Sequence, residues 1–173
     1  RYTTSKTGVA LKGLTAAQWL SRLDAREPVF RRVYGDGPEL LRERFDLLRR
    51  VLEAFLQRFG DRPVRLFRSP GRINLRGMHV DTHGGYLNLM THQREVVVAA
   101  SPSDDASSAC VNINPAREEV DFNASDPRVP ALRRDWLSFI SEPSLQGAPH
   151  PSRGRWGRYM EGCALRVRHA FPA

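Results

Sequence analysis

Residues 70–85 read PGRINLRGMHVDTHGG, and this stretch decides how the rest of the chain is interpreted. It combines four glycines with two histidines, two arginines and an aspartate, and it holds few bulky apolar side chains. Glycine accepts backbone conformations with positive φ and lets a ligand or a second strand come close. So many polar groups among glycines therefore predict a turn-rich functional segment rather than part of a core.

The residues on the N-terminal side of Gly77 alternate as β-strands do. After Pro63 the spacing of apolar positions changes from 3.6 to 2, which predicts one strand at 64–69 and another at 72–76, with a turn at Pro70 and Gly71 between them. In the second strand the polar side chains are expected on one face and the apolar ones on the other. The polar side chains are those of Arg72, Asn74 and Arg76.

Gly77 permits a bend after this strand, and His79 and Asp81 follow it. Because they are two residues apart in what is expected to be extended chain, their side chains are predicted on one side. Gly84 and Gly85 are expected to adopt positive φ values that reverse the chain. Carboxylates accept hydrogen bonds from hydroxyls, imidazoles donate or accept, and arginine holds phosphoryl oxygens. The pattern predicts a polyol site beside a phosphate.

Two other interpretations of this stretch stay open. The glycines can belong to a simple hairpin whose polar residues only face solvent. His79, Asp81 and His83 can also ligate a metal, although the sequence offers no distant partner for them and no metal is predicted. The glycine-rich motifs of dinucleotide-binding and Walker-type sites are absent, so neither supports nucleotide binding here.

The rest of the chain reads as a helix, then strands, then helices, which predicts an α+β fold. The clearest helix follows Pro38 and stops at Gly60, and its apolar stripe is Leu41, Phe45, Leu48, Leu52, Phe55 and Phe59. Residues 1–38 are predicted to be irregular, apart from a short helix at 15–23 capped by Thr15. Further strands are expected at 86–90, 95–101, 109–114 and 118–123, the second of them buried on both faces. Helices are expected at 131–140 and 155–171, with a loop at 142–154.

Composition excludes several classes of protein. The chain has 173 residues of which 40% are hydrophobic, enough for one domain, and no membrane span or secretory signal is recognised, so a cytoplasmic protein is expected. Cys110 and Cys163 fit neither a disulfide scaffold nor a zinc site and are predicted to be buried thiols. The net charge of +8 suggests nucleic acid as a partner, but the arginines are spread over the whole chain, so none is expected; steeply salt-dependent DNA binding would contradict this.

The stretch SPGRINLRGMHVDTHGGYLNLM, residues 69–90, resembles the opening signature of galactokinase-type sugar kinases in the GHMP kinase superfamily, which is approximately A-P-G-R-V-N-L-I-G-E-H-T-D-Y-N-G-G. The matching positions are Pro70, Gly71, Arg72, Asn74, Leu75, Gly77, His79, Asp81, Gly84 and Gly85. RWGRYMEGCAL, residues 155–165, is similar to a later family segment, W-x-x-Y-V-x-G-V. The resemblance covers about residues 40–173.

The resemblance implies an incomplete N-terminal domain of the GHMP kinase fold, which is like domain 2 of ribosomal protein S5. Residues 39–173 would form part of the kinase domain and residues 1–38 an N-terminal extension, with the C-terminal domain absent. The implied activity is phosphorylation of a monosaccharide hydroxyl, the anomeric one, by ATP with Mg²⁺. Arg72 would stabilise the transferred phosphoryl group. His79, Asp81 and Gly85 would bind the sugar, and Trp156 would either stack on adenine or anchor the last helix in a core.

Departures from the family pattern lie on the substrate side. Met78 stands where the family has a glutamate that binds a sugar hydroxyl, so the sugar that Met78 contacts is expected to differ from galactose. Thr82 and His83 replace Tyr-Asn. The family's serine-rich phosphate loop and its catalytic aspartate are missing, so this chain alone is expected to be an inactive fragment of a longer kinase. The alternative is a sensor of sugar or nucleotide on the same fold that does not catalyse.

Overall fold

The computed structural model describes residues 13–25, 28–77, 79–103, 107–117, 119–123 and 156–171, which form two compact units. The first unit contains the described residues up to Ser101, and the second contains those from Pro102 onward. Both helices and strands are present, so the predicted α+β class is confirmed. The helix predicted at 131–140 and the loop predicted at 142–154 lie outside the described residues.

Helix α1 (Ala16–Asp24) begins at the predicted cap. Thr15 Oγ1 accepts the backbone N–H of Gln18 at 3.3 Å, and Gln18 Oε1 accepts the backbone N–H of Thr15 at 3.0 Å. This reciprocal pair satisfies two of the N–H groups that a helix start leaves without partners. The indole N–H of Trp19 donates to the carbonyl oxygen of Val64 at 3.2 Å, which ties α1 to the segment before the first strand.

A second helix, α2 (Pro28–Tyr34), corrects the prediction that this region is irregular. Its seven residues are too few to display a helical period in the sequence. Tertiary packing stabilises it instead: the ring of Phe30 meets that of Phe45 edge to face, with ring centroids 5.5 Å apart, and Phe30 is buried. Helix formation in such a short segment depends on contacts that the local sequence does not reveal.

Helix α3 (Pro38–Phe59) confirms the predicted bounds and most of the predicted stripe. Pro38 occupies the first turn, where its missing N–H costs nothing, and Gly60 ends the helix with a φ of 76°. The buried residues of α3 are Leu41, Arg44, Leu48, Val51, Leu52 and Phe55. The core of this unit is formed by α1, α2 and α3 around Leu52.

The four strands predicted between 64 and 101 are two long ones, β1 (Arg65–Arg76) and β2 (Asn88–Ala100), paired antiparallel. Pro70 and Gly71 do not turn the chain, contrary to the prediction. They lie at a register shift, where the pair Pro70–Glu95 is followed by Gly71–His92, so two residues of β2 are skipped. Proline lacks the N–H that a ladder requires and is tolerated at bulges and strand edges, which is the physical reason for the difference.

The helices cover only one end of this hairpin. Leu66, Val97 and Ala99 pack against the helical core, whereas no described residue from Gly71 to Arg76 belongs to that core. The apolar run in β2 is therefore not buried on both faces as predicted, and Val96 remains 65% exposed. The half of the hairpin that carries the signature is exposed.

The second unit contains β3 (Ser107–Cys110) paired antiparallel with β4 (Val120–Asn123), and helix α4 (Gly157–Ala170). The predicted strand pair and last helix are confirmed, although β3 ends at Cys110, before the side chain of Asn112 accepts the N–H of Asn114 in a turn at 2.9 Å. Cys163 is exposed and Cys110 is half-buried, so the prediction of two buried thiols is wrong for Cys163 and holds only in part for Cys110. Among the described helices, none has the length and hydrophobicity needed to cross a membrane.

Candidate functional site

The exposed end of β1 carries the predicted arginine on a defined face. Arg72 lies opposite Thr91 and Asn74 lies opposite Leu89, and residues directly opposite each other share a face of the sheet. A second register shift between Asn74 and Arg76 then places Arg76 opposite Asn88. Because successive residues of β2 point to opposite faces, Arg76 leaves the face that holds Arg72 and Asn74. The predicted row of three polar residues is thus a pair.

Gly71 lies under the imidazole of His92. A Cβ added to Gly71 would come within 2.4 Å of His92 Nε2 and 2.9 Å of the Arg94 carbonyl oxygen, so no larger residue fits without movement. The ring is fixed because His92 Nδ1 accepts the backbone N–H of Arg94 at 3.0 Å, which leaves the proton of the neutral ring on Nε2. Because Gly71 has no side chain, it leaves room at the bulge for the imidazole of His92 from the neighbouring strand.

The segment after β1 is a compact turn and not the predicted extended chain. Gly77 has a φ of 90°, and His79 has a φ of 64°, an uncommon value for a residue with a side chain. A 3-10 turn over Asp81–His83 follows. The expectation that His79 and Asp81 share one side because they are two apart is therefore wrong in its premise, since positive φ values redirect the backbone between strand and turn.

The two glycines at the end of this turn differ from each other. Gly84 has a φ of 76°, as predicted, whereas Gly85 does not have a positive φ, so the prediction is wrong for Gly85. A Cβ on Gly85 would lie 1.9 Å from Val80 Cγ1 and 3.0 Å from the Val80 carbonyl oxygen, and that oxygen accepts the Gly85 N–H at 2.9 Å. Gly85 is required by close packing, and Gly84 by backbone conformation.

Thr82 and His83, the two departures from the family pattern, join one hydrogen-bond network. The carbonyl oxygen of His79 can only accept, so the Thr82 hydroxyl donates to it, at 2.7 Å. The same hydroxyl oxygen lies 3.0 Å from His83 Nδ1 and has no second proton to give, so Nδ1 carries a proton and donates. In the neutral ring, Nε2 of the exposed His83 imidazole is a hydrogen-bond acceptor.

The remaining predicted site residues are distributed as follows. The backbone of Asp81 starts the 3-10 turn, while Met78 lies outside the described residues. Trp156 is half-buried directly before α4, in the second unit, and both interpretations of it stay open. Within the described part of the chain, no three His, Cys, Asp or Glu side chains form a group that could hold a metal ion. An open groove on the hairpin is lined by Ile73, Met90, Thr91, His92, Gln93 and Arg94.

Sequence reasoning missed a buried charged cluster next to the bulge. The Glu95 side chain is 1% exposed, and its Oε2 accepts a hydrogen bond from Arg68 Nε at 2.6 Å. Arg44 Nη1 lies 3.7 Å from Glu95 Oε1, and Tyr34 also hydrogen-bonds to Glu95. One signal was available: Arg44 falls at helical spacing within the apolar stripe of α3, where a charge needs a partner.

The cluster makes the free energy of unfolding decrease with rising pH in the alkaline range. Burial, followed by the hydrogen bond and charge of Glu95, raises the pKa of Tyr34 from 10.0 to about 12. The folded state then holds this proton more tightly than the unfolded state, so the stabilisation is complete below about pH 10 and is lost as the pH rises through about 12. We expect Tyr34→Phe to flatten the decline in unfolding free energy over this interval, measured by urea titration at each pH.

Tyr86→Phe is the matched control for this titration, because Tyr86 is 96% exposed. It should keep the alkaline decline of the unmodified chain. An unchanged decline in Tyr34→Phe would show that Tyr34 does not titrate in contact with Glu95.

The galactokinase galactose-binding signature, a family model, matches residues 53–102 of this chain. Galactokinase from Chloroflexus aggregans is 36% identical over 90 residues, which are 52% of this chain and 23% of that protein. Galactokinase from Chloroflexus aurantiacus is 38% identical over 87 residues, 50% of this chain and 22% of that protein. Galactokinase from Bos taurus is 30% identical over 117 residues, 68% of this chain and 26% of that protein. No solved structure is significantly similar to the chain.

These comparisons confirm the predicted resemblance to galactokinase-type sugar kinases, which are transferases of carbohydrate metabolism. The chain spans about a quarter of the length of the curated relatives it matches. The signature match runs from the second half of α3 to just beyond the end of β2, so it coincides with the bulged hairpin and the glycine-rich turn.

Proposed function

We propose that this chain carries the sugar-binding part of an ATP-dependent sugar kinase that is similar to galactokinase. One observation carries the proposal: the galactose-binding signature coincides with an exposed strand that leads from Arg72 into a tight glycine-rich turn. The proposed fold is the N-terminal domain of the GHMP kinase superfamily. Residues 39–173 would belong to the kinase domain, with residues 1–38 as an extension before it.

In the proposed reaction a monosaccharide hydroxyl, the anomeric one, attacks the terminal phosphorus of ATP. A new P–O bond forms between the sugar oxygen and the phosphorus, the bond to ADP breaks so that ADP leaves, and the hydroxyl proton is released to solvent. Negative charge spreads over the transferred phosphoryl oxygens, and the guanidinium of Arg72 would neutralise part of it. His79, Asp81 and Gly85 are proposed to line the sugar side, because all three belong to the turn that directly follows the arginine strand.

The sugar is proposed to differ from galactose where Met78 replaces the family glutamate. A methionine accepts no strong hydrogen bond, and a sugar hydroxyl left without a partner there would cost about 1–3 kcal/mol. A deoxy sugar, or a pentose that lacks the exocyclic carbinol, would avoid this cost. The acceptor Nε2 of His83, which the family pattern does not include, is a second difference on this side.

ATP and Mg²⁺ are proposed as the phosphate donor and its counterion. Trp156, half-buried at the start of α4, is the proposed adenine contact. Among the described residues, no three His, Cys, Asp or Glu side chains form a group that could hold the magnesium ion. The proposed partners are the sugar and ATP, without nucleic acid or membrane, and the proposed location is the cytoplasm.

The second candidate function is a sensor that binds sugar or nucleotide without catalysis. Met78 favours it as much as it favours altered specificity, because loss of a sugar contact is tolerable in a protein that need not turn over. Sugar binding without sugar-dependent consumption of ATP would favour the sensor over the kinase.

The test measures ADP release by the complete protein that contains this sequence, with ATP, magnesium and a panel of hexoses, deoxy sugars and pentoses. Asp81→Ala is expected to abolish sugar-dependent release, because the sugar loses a charged acceptor, while Trp156→Ala should mainly raise the KM for ATP. Asp46→Ala, which removes an exposed carboxylate on α3, is the control and should leave turnover unchanged. Wild-type turnover in Asp81→Ala would contradict the proposed site.

A further inference from the structure

The cluster of Tyr34, Arg44, Arg68 and Glu95 joins α2, α3, β1 and β2 within the first unit. We propose that Glu95 is a positioning residue: it fixes the register of the hairpin at the bulge and thereby holds Arg72 at its place in the sugar site. This inference rests on the proposed function and adds to it a residue that is not part of the signature turn.

Glu95 occupies the point where the register is decided. Its pair with Pro70 is the last before the shift, and Gly71 pairs next with His92. Pro70 has no N–H to donate, so the backbone ladder is weakest at this pair. A strand whose ladder is interrupted slips easily unless side chains specify the alignment. The buried Glu95 side chain specifies the alignment through its contacts with Arg44 and Arg68.

A slip of one residue would be penalised by charge. Such a slip would move the Glu95 carboxylate to the other face of the sheet, away from Arg44 and Arg68. The side chain of Arg44 is 4% exposed, and its other acidic contact, Glu43 at 2.8 Å, is itself 61% exposed. Burial of an arginine without its carboxylate is strongly unfavourable, so the cluster selects the observed register over its neighbours.

The hydrogen bonding of the cluster is incomplete, which argues for a role in alignment rather than in stability alone. Glu95 Oε1 and Arg44 Nε are buried and lack hydrogen-bond partners within the described structure. The guanidinium and the carboxylate still attract each other as charges, since Arg44 Nη1 lies 3.7 Å from Glu95 Oε1, beyond hydrogen-bonding distance. Apolar residues of similar size often stabilise a fold as well as a buried ion pair does, whereas a slip that separates a buried ion pair leaves an uncompensated charge and is penalised more heavily.

The effect reaches Arg72 because its end of β1 does not pack into the helical core. From Gly71 to Arg76 no described residue joins the helical core, and Arg72 comes two residues after the partner of Glu95. Arg68 is the member of the cluster that β1 contributes, and it lies two residues before Pro70, the strand partner of Glu95. The direction in which the strand leaves the helices is therefore set at Glu95.

The first experiment is hydrogen–deuterium exchange on the full chain. Glu95→Gln keeps the shape of the side chain and removes its charge, and Glu43→Gln removes the exposed carboxylate that also contacts Arg44. We expect Glu95→Gln to lower protection at 71–76 and 88–92 by about tenfold while residues 48–55 of α3 keep theirs. Glu43→Gln should change neither. Unchanged protection in the strands, or an equal loss in strands and helix, would overturn the proposal.

Arg68→Gln covers the case in which Glu95→Gln does not fold. The Arg68 side chain is 40% exposed, so its replacement disturbs the core less than a replacement of Glu95 does. The change still removes the shorter of the two arginine contacts to Glu95. The same loss of protection in the strands is expected, and its absence counts against the proposal.

The second experiment separates positioning from a structural role by kinetics in the complete protein. Glu95→Gln should lower kcat for sugar phosphorylation by about tenfold with little change in the sugar KM, because a displaced Arg72 weakens transition-state contacts more than sugar binding. Glu95→Asp should restore part of kcat. Unchanged kcat, or a rise in KM alone, would contradict positioning. A protein that phosphorylates no sugar contradicts the proposed function, while the exchange result still decides whether Glu95 fixes the register.

Discussion

Replacement of Arg72 by alanine is expected to lower kcat for sugar phosphorylation by a factor of about 10² to 10³, because a preorganised cation at a developing oxyanion contributes on that scale. The sugar KM should change little, since the charge that Arg72 meets is largest in the transition state. The measurement is steady-state ADP release by the complete protein at saturating sugar and ATP.

Arg76→Ala is the matched control for this experiment. Arg76 is an exposed arginine of the same strand, and the register shift after Asn74 places it on the opposite face from Arg72. Its replacement should leave kcat within about threefold of the unmodified protein, as expected for a surface charge outside the site. Equal losses in the two variants would mean that the strand contributes general positive charge and that Arg72 has no specific role.

Truncation of Leu52 to alanine is expected to lower the unfolding free energy by about 2–5 kcal/mol. Leu52 is 0% exposed and lies in the core formed by α1, α2 and α3, so the change removes buried methyl groups and leaves a cavity. Urea denaturation followed by circular dichroism measures this loss, with the denaturant slope held constant as the check on two-state behaviour.

Leu75→Ala controls for the loss of a leucine as such. Leu75 is 62% exposed on the signature strand, and the same truncation there should change stability by less than about 0.5 kcal/mol. A Leu52→Ala variant no less stable than Leu75→Ala would place the core of this unit elsewhere.

The sequence predicted the helices whose caps and apolar stripes lie within a few neighbouring turns of the chain, and it missed the helix that depends on distant contacts. The cap at Thr15 involves residues of a single turn, and the apolar stripe between Pro38 and Gly60 repeats from turn to turn. The structure contains both. Helix α2 was missed because seven residues carry too little period and its stability comes from Phe30 packing on Phe45. The position of Arg44 within the apolar stripe of α3 indicated that it is buried, but the sequence did not indicate its partner Glu95, which is fifty-one positions away.

The family resemblance of the candidate site was predicted correctly, whereas its backbone geometry was predicted only in part. The resemblance in residues 69–90 is borne out by the signature match at 53–102. The geometry differs at three places: Pro70 and Gly71 form a bulge, Arg76 leaves the face of Arg72, and His79 begins a turn with positive φ. Arg76 changes face because one extra residue in a strand moves every residue after it to the other face. The other two differences come from the missing N–H of Pro70 and from the positive φ of His79.

The sequence by itself determined the α+β class, the long helix, the family resemblance and the glycine-rich turn, because caps, periodic stripes and glycine-dependent conformations depend on residues close together in the chain. Only the tertiary structure decided that β1 runs through Pro70, which face Arg72 occupies, and that Glu95 is buried between two arginines. These features depend on pairing between residues that the chain holds far apart, and the energy that selects one register comes from contacts that exist only once both strands and the helices have met.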